Sequence, residues 1–186
     1  MFLDDAVVSL SFYDCAMPSP RSLIVQALTQ HAFAPFGDIL GGEIASGLFI
    51  NSGTSEKIAL SDPALTAQGG EPSLNLYRAR ANPLPFTAVE LERHCVGSQS
   101  FIPLAGVPFV VIVALGDPST GGKTPLESSI AAFWVDGSCG VTFKAATWHH
   151  PLLSQRDGDF VVLERRAPMV DCEIQALSQA VEIRRT

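Results

Sequence analysis

The chain has 186 residues, 47% of them hydrophobic, so it carries enough apolar side chains for the core of one domain of usual size. Its formal net charge of -7 at pH 7, with no cluster of Lys and Arg, argues against a nucleic-acid partner and against binding to an anionic membrane. The longest apolar run, residues 107–115, contains Pro108 and is too short to span a bilayer.

The N-terminal part of the sequence predicts little regular structure. Residues 1–20 end in Pro-Ser-Pro, a segment that resists regular structure, so we expect a weakly ordered leader or an edge strand. A strand is predicted over residues 22–28. Thr29 can then cap a short helix that extends to Phe33.

Strands dominate the sequence from residue 73 onward. Residues 73–79 alternate as a strand does, which places Arg78 on the same face as two leucines. Two Asp-Gly pairs between later apolar runs predict β-hairpins. Short strands at intervals of about 8–12 residues are typical of a sandwich or barrel, so we predict one all-β domain with a few short helices. The further predicted strands are 86–94, 100–104, 109–115, 130–135, 140–143 and 160–163.

The stretch from Leu91 to Pro103 concentrates polar groups that could perform chemistry. Residues two apart on a strand share a face, so Glu92 and His94 project side by side, and after a Gly-Ser turn Gln99 opens the next strand of a predicted hairpin. The simpler alternative is that Glu92 and His94 belong to the solvent-exposed face of a half-buried strand. In a barrel that binds a ligand, however, polar side chains face the lumen.

A second polar cluster lies about fifty residues downstream, at His149 and His150. Pro151 biases the preceding residue towards an extended conformation, so the two imidazoles point to opposite faces. At most one of them can therefore join the Glu92 and His94 face. A lone buried His is more often a hydrogen-bonded structural residue than a ligand, and that alternative stays open.

The four cysteines are far apart in the sequence and form no CxxC pair. In a chain of this size with a full core we expect them to be reduced, as in the cytosol. Cys95 follows His94 directly, and neighbouring strand residues face apart, so a Cys-His nucleophile pair is not expected there.

The spacing Glu92-x-His94-x4-Gln99, followed far downstream by His149, resembles the two-part cupin signature, with Glu92 at the first His position and Gln99 at the Glu position. Within cupins, the runs LERHCVGSQSFIPL, PFVVIVAL, GVTFKAATWHHPLL and DFVVLERR resemble the ureidoglycolate lyase family over roughly residues 21–175. One departure is Ala145-Ala146, which lacks the Gly of the second cupin motif.

The resemblance implies a cupin-type double-stranded β-helix barrel, with a catalytic domain over residues 21–175 and a C-terminal tail over 176–186. It also implies a cytoplasmic homodimer that splits ureidoglycolate into glyoxylate and urea during purine and allantoin degradation. The implied cofactor is a divalent metal, with nickel as the named ion, while zinc or no metal stays possible. Another cupin enzyme, an epimerase or a dioxygenase, and a non-catalytic cupin that binds a small acid are the rival interpretations.

These expectations assign roles to eight positions. Arg78 is the candidate for the substrate carboxylate, although a surface ion pair is an equal alternative for it. In a metal-free site, Glu92 and His94 would act directly as base and acid. The expected catalytic residues are Glu92, His94 and His149; the expected metal ligands are Glu92, His94, Gln99 and His149; and the expected substrate-binding residues are Arg78, Ser98, Gln99, Trp148 and His150.

Overall fold

A computed structural model describes residues 19–42 and 46–186. The leader predicted over residues 1–20 lies outside this part of the chain except for its last two residues. The first strands of the described part are β1 (Arg21–Ile24), β2 (Gln26–Ala27), β3 (Gly37–Leu40), β4 (Leu48–Ile50), β5 (Ser55–Lys57), β6 (Glu71–Ala79) and β7 (Phe86–Arg93). The later ones are β8 (Gln99–Pro103), β9 (Phe109–Ala114), β10 (Ala131–Val135), β11 (Gly140–Phe143), β12 (Trp148–His149), β13 (Leu153–Ser154), β14 (Gly158–Arg166) and β15 (Glu173–Arg184).

Helical structure is confined to short turns in the described residues. Helix α1 (Gln30–Phe33) begins after Thr29, whose side chain accepts a hydrogen bond from the backbone N–H of Ala32 at 3.2 Å. This cap confirms the short helix predicted from the sequence. Single 3₁₀ turns occur at Asn51–Gly53, Ala67–Gly69, Pro118–Thr120 and Glu127–Ser129.

Two sheets face each other and form the barrel. The first has the order β1-β15-β7-β12-β9-β10-β2, with β13 also paired to β9, and the second has the order β3-β11-β8-β14-β6. The first sheet nearly closes on itself, because β1 and β2 are separated only by Val25 and yet pair with β15 and β10 at its two ends. The strand predicted over residues 22–28 is divided there. The predicted all-β, cupin-like barrel is confirmed.

Strand β9 lies at the centre of the core and is buried on both faces. Phe109 and Val111 point into the space between the two sheets, whereas Val110 and Ile112 pack on the other face of the first sheet. A strand that is covered on both sides needs no polar alternation, so its sequence is an unbroken apolar run.

The last strand, β15, is an integral part of the first sheet. It pairs antiparallel with β7 and parallel with β1, and its Val181 and Ile183 are fully buried. The boundary that we expected at residue 175 falls inside this strand, so residues 176–184 contribute to the core rather than forming a separate tail.

The two Asp-Gly pairs do not form hairpins, so that prediction was wrong. Residues 136–137 connect β10 to β11, and residues 157–158 connect β13 to β14; in both cases the two strands belong to different sheets. The segment between β7 and β8 is likewise a corner between the sheets. A tight turn permits a hairpin, but the pairing partner depends on which sheet buries each apolar face.

Among the described residues, no helix has the length and apolar character that a membrane crossing requires. Cys95, Cys139 and Cys172 are free thiols, which agrees with the expected reduced state, and Cys15 lies outside the described residues.

Candidate metal centre and active site

The corner between β7 and β8 places polar side chains on opposite walls of the barrel. Glu92 lies on β7 directly opposite His149 of β12, and His94 follows the end of β7. Potential ligand atoms of these three residues lie within 4.8 Å of one another. Gln99 begins β8 on the second sheet. The structure therefore brings the carboxylate and two imidazoles together, as the sequence suggested, although by a corner and not by a hairpin.

Backbone carbonyl groups fix the orientation of both imidazoles. Nδ1 of His94 lies 2.7 Å from the carbonyl oxygen of Asp171, and Nδ1 of His149 lies 2.8 Å from that of Thr147. A carbonyl only accepts, so each Nδ1 carries the proton, and each Nε2 keeps its lone pair. Both Nε2 atoms are buried and lack a hydrogen-bond partner. Metal-binding histidines are commonly oriented in this way, by a hydrogen bond from the ring nitrogen that does not bind the metal.

Burial keeps His149 neutral. Removal from water lowers its pKa from 6.5 to about 3, and its ring stacks on Phe143 with the ring centroids 4.3 Å apart. Its Nε2 lies 3.6 Å from Oε1 of Glu92, which is a contact between a neutral imidazole and a carboxylate. Burial also raises the pKa of Glu92, mainly because the charged carboxylate is desolvated. The site thus holds a carboxylate that is easier to protonate than usual.

Gln99 approaches from the second sheet. Its Nε2 donates to Oε2 of Glu164 at 2.8 Å, while its Oε1 is buried and has no partner. The buried Ser98 precedes it, and its backbone N–H donates to the carbonyl oxygen of Ala64. His94, Ser98 and Gln99 line one cavity of about 370 Å³.

Three expected substrate-binding residues do not reach this cavity. Arg78 does share a face with the leucines of β6, but that face is the outer one, where its exposed guanidinium lies 3.9 Å from Asp159. Its surface ion-pair alternative is therefore the better interpretation. An outward-facing residue on a strand of the barrel wall cannot contact a ligand in the lumen.

Trp148 and His150 are the other two expected substrate-binding residues that do not reach the cavity. The indole of Trp148 is buried on the opposite face of the first sheet, where its Nε1 donates to the carbonyl oxygen of Gly122. His150 packs edge-on against Phe86, with ring centroids 4.9 Å apart. Both flank His149 in the sequence, and strand alternation turns them away from the face that His149 occupies. Of the two histidines, His149 is the one that lies beside Glu92 and His94.

Sequence reasoning missed a polar network on the second sheet. Glu164 accepts hydrogen bonds from Asn75 Nδ2 at 2.8 Å and from the hydroxyl of Tyr77 at 3.2 Å, in addition to that from Gln99. The alternation of residues 73–79 contained the signal, because Asn75 and Tyr77 must face away from the exposed leucines. Cys172 was also missed, and its Sγ lies 3.7 Å from Oε2 of Glu92.

The donor set fits a divalent metal ion. The unpartnered buried atoms are His94 Nε2, His149 Nε2 and Gln99 Oε1, and the Glu92 carboxylate adjoins the imidazoles. Buried polar atoms without partners are rare in proteins and require an explanation. Imidazole nitrogens with carboxylate and amide oxygens suit a borderline ion such as nickel or zinc.

A barrel of two facing sheets, with two imidazoles and a carboxylate converging in its interior, defines a cupin-type protein with a potential metal site. The chain belongs to the ureidoglycolate lyase family, whose model matches residues 20–184. This range includes all of β15, in agreement with the role of that strand in the sheet.

Named relatives agree with the family match. The chain is 36% identical over 155 residues to a ureidoglycolate lyase of Pseudomonas syringae pv. syringae, a match that covers 82% of this chain and 88% of the relative. It is 37% identical over 155 residues to the enzyme of the same name from Pseudomonas savastanoi pv. phaseolicola, with the same coverage. It is 38% identical over 148 residues to that of Burkholderia mallei, covering 78% of this chain and 83% of the relative.

Proposed function

We propose that this protein is a ureidoglycolate lyase that cleaves ureidoglycolate to glyoxylate and urea. The observation that carries the proposal is the convergence of Glu92, His94 and His149 inside the barrel of a member of this family. The substrate has one carbon that bears a hydroxyl, a carboxylate and a urea nitrogen. Its elimination breaks the O–H and C–N bonds, forms the aldehyde C=O bond and adds a proton to the departing nitrogen.

The proposed metal ligands are His94, His149 and Glu92, with Gln99 from the opposite wall. A divalent ion held there would lower the pKa of the substrate hydroxyl. Each imidazole has its Nδ1 beside a backbone carbonyl oxygen, so Nε2 is the nitrogen that each would offer to a cation. We propose nickel as the ion, with zinc as the alternative, because these donors suit both.

Glu92 is the proposed proton carrier. In the metal-free site burial raises its pKa, and with an ion held there a carboxylate oxygen that does not bind the ion would take the proton of the substrate hydroxyl. After taking that proton, the same carboxyl group can deliver it to the departing urea nitrogen. One residue would thus serve both proton transfers, and the neighbouring neutral His149 would not compete for the proton, since its pKa is about 3.

The substrate carboxylate requires a cation, and Arg78 cannot supply it. Arg165 and Arg166 both line the cavity that contains His94 and Gln99. Arg165 is the stronger candidate, because its side chain is buried and its Nε and Nη2 donate to backbone carbonyl oxygens, while its Nη1 lies 4.0 Å from Oδ2 of Asp171. A fixed guanidinium binds a carboxylate with little loss of side-chain entropy.

We further propose that the protein acts in allantoin degradation in the cytoplasm as a homodimer. Exposed apolar side chains on the outer face of the second sheet support self-association: Leu74 is 70% exposed and Leu76 is 52% exposed. Analytical ultracentrifugation tests this point, and a monomer at micromolar concentrations would contradict it.

The activity is tested by incubating the purified protein with ureidoglycolate after chelation and again after addition of Ni²⁺ or Zn²⁺. We expect glyoxylate and urea in equal amounts, with a loss of rate after chelation. Ammonia in place of urea would indicate an amidohydrolase. Turnover that requires ferrous iron and oxygen, with no action on ureidoglycolate, would indicate a dioxygenase. Arg78→Ala is the control variant, because that side chain lies on the outer face.

A further inference from the structure

Gln99 is a proposed ligand whose two polar ends differ in what they could offer. Its amide carries an oxygen acceptor at one end and two N–H donors at the other, and rotation by 180° exchanges them. Only the oxygen end can hold a cation. Some group must therefore determine which end faces the site.

That group is the carboxylate of Glu164, the direct neighbour of Gln99 across β8 and β14. It accepts a hydrogen bond from Gln99 Nε2 at 2.8 Å. A carboxylate accepts and does not donate, so the NH₂ end of Gln99 must face Glu164. The Oε1 end then points elsewhere, and it is buried without a partner.

We propose that Glu164 is a positioning residue that turns the oxygen of Gln99 towards the metal site. The proposal deepens the proposed function, on which it rests for the identity of the site. In the opposite orientation, the N–H groups would repel the cation that His94 and His149 bind through their lone pairs.

Glu164 is itself held in place from the neighbouring strand β6. Asn75 donates to its Oε1 at 2.8 Å, and the hydroxyl of Tyr77 lies 3.2 Å from the same oxygen. Burial, followed by the negative charge of Glu164, raises the pKa of Tyr77 to about 12, so the phenol stays a donor to that carboxylate. Three donors on one carboxylate leave it little freedom to rotate. The fixed carboxylate in turn fixes which end of the Gln99 amide faces it.

The test exchanges the two side chains. In Glu164→Gln, residue 164 can donate as well as accept, and the amide of Gln99 loses its fixed orientation. In the double variant Gln99→Glu with Glu164→Gln, the carboxylate stands at position 99. It accepts from the new amide and still offers an oxygen to the site, whichever way it turns. Asp159→Asn on the same strand is the matched control, because it removes one negative charge on the outer face.

The first readout is the affinity of chelator-treated protein for Ni²⁺, measured by equilibrium dialysis with circular dichroism as the check on folding. We expect Glu164→Gln to weaken Ni²⁺ binding by about 10–100-fold, as for other outer-shell partners of metal ligands. The double variant should regain most of the affinity, and Asp159→Asn should bind like the wild type. The second readout is kcat/KM for ureidoglycolate, which should follow the same order.

Wild-type affinity in Glu164→Gln would overturn the proposal, as would a double variant that binds no better than Glu164→Gln. Absence of Ni²⁺ binding by the wild type would also overturn it. If the wild type does not cleave ureidoglycolate and the Ni²⁺ affinities still follow the expected order, the positioning role stands and the proposed function fails. If Glu164→Gln does not fold, recovery of folding and Ni²⁺ binding in the double variant supports the pairing, and failure of both variants contradicts it.

Discussion

At the scale of single residues, backbone carbonyl groups decide what the site can do. The carbonyl oxygens of Asp171 and Thr147 occupy the Nδ1–H groups of His94 and His149, so both Nε2 atoms are acceptors. A side-chain amide on the second sheet is oriented in the same way, since Gln99 Nε2 donates a hydrogen bond to the carboxylate of Glu164. The two imidazoles and the amide are thus each oriented by a neighbouring acceptor oxygen.

Glu92→Gln should lower kcat for ureidoglycolate by about 10²–10⁴-fold, the usual contribution of a positioned acid or base. Without metal, the Glu92→Gln variant should be at least as stable as the metal-free wild type. The raised pKa of Glu92 means that burial disfavours its ionised form in the wild type. Steady-state kinetics and urea unfolding measure the two effects. Wild-type turnover would contradict the assignment of Glu92.

The neutral state of His149 predicts that the metal-free protein loses stability in mild acid. The unfolded chain binds a proton at this residue below pH 6.5, whereas the folded protein binds one only near pH 3, so stability falls as the pH decreases between these values. From pH 7 to pH 5 the contribution is about 2 kcal/mol. The lowered pKa of His150 acts in the same direction, and the raised pKa of Glu92 acts against it.

The measurement is the free energy of unfolding in urea at both pH values, for the wild type and for His149→Gln. The variant should lose about 2 kcal/mol less than the wild type over this interval. Equal losses in the two proteins would mean that His149 is protonated in the fold.

Ala146 belongs to the pair Ala145-Ala146 that lacks the Gly of the second cupin motif, and it has a φ of 66°. It occupies the third position of a turn closed by a hydrogen bond from Thr147 N–H to Lys144 O, where a positive φ favours Gly. Ala146→Gly should therefore stabilise the protein by about 1 kcal/mol. Ala145→Gly is the control and should destabilise it, because Ala145 does not have a positive φ. Thermal unfolding distinguishes these outcomes, and a destabilised Ala146→Gly would contradict the argument.

At the scale of elements, the residues of the site are positioned by connections between the two sheets and not by hairpins within one sheet. The connection from β7 to β8 moves the chain from one wall to the other within residues 94–98. Glu92 and Gln99 therefore belong to different sheets although they are close in sequence. Asp171 stabilises this corner, because its carboxylate accepts from the backbone N–H groups of Val96 and Gly97.

Strand β15 provides a direct test of how much the last element contributes. Ile183 is fully buried, whereas Ile174 on the same strand is 62% exposed. Ile183→Ala should cost about 2–5 kcal/mol, the range for a buried aliphatic side chain, because it removes apolar contacts and leaves a cavity. Ile174→Ala should change stability by about 0.5 kcal/mol or less. Equal effects in urea unfolding would mean that residues 176–184 do not belong to the core.

At the scale of the whole molecule, the site joins the first sheet to the second. Glu92 and His149 belong to the first sheet and Gln99 to the second, so an ion bound to all three would link both walls. Ni²⁺ at 100 times its Kd should raise the free energy of unfolding by about 2.7 kcal/mol, because the unfolded chain does not assemble these ligands.

Differential scanning fluorimetry, with and without Ni²⁺, measures this stabilisation. His149→Ala should lose most of it, since the variant lacks one imidazole ligand. A wild-type protein whose unfolding temperature does not respond to Ni²⁺ would contradict the metal assignment, whatever its activity.

The sequence by itself determined most of the strands between residues 71 and 166, the short helix after Thr29 and the placement of Glu92 and His94 on one face, because alternation and capping are local properties. It also determined that only one of His149 and His150 could join that face. Tertiary structure alone decided that Asp-Gly pairs connect different sheets and that residues 176–184 complete the first sheet. It alone placed Arg78 outside the lumen and Glu164 beside Gln99. The physical reason is that alternation divides a strand into two faces, but only the packing of the sheets decides which face is the interior.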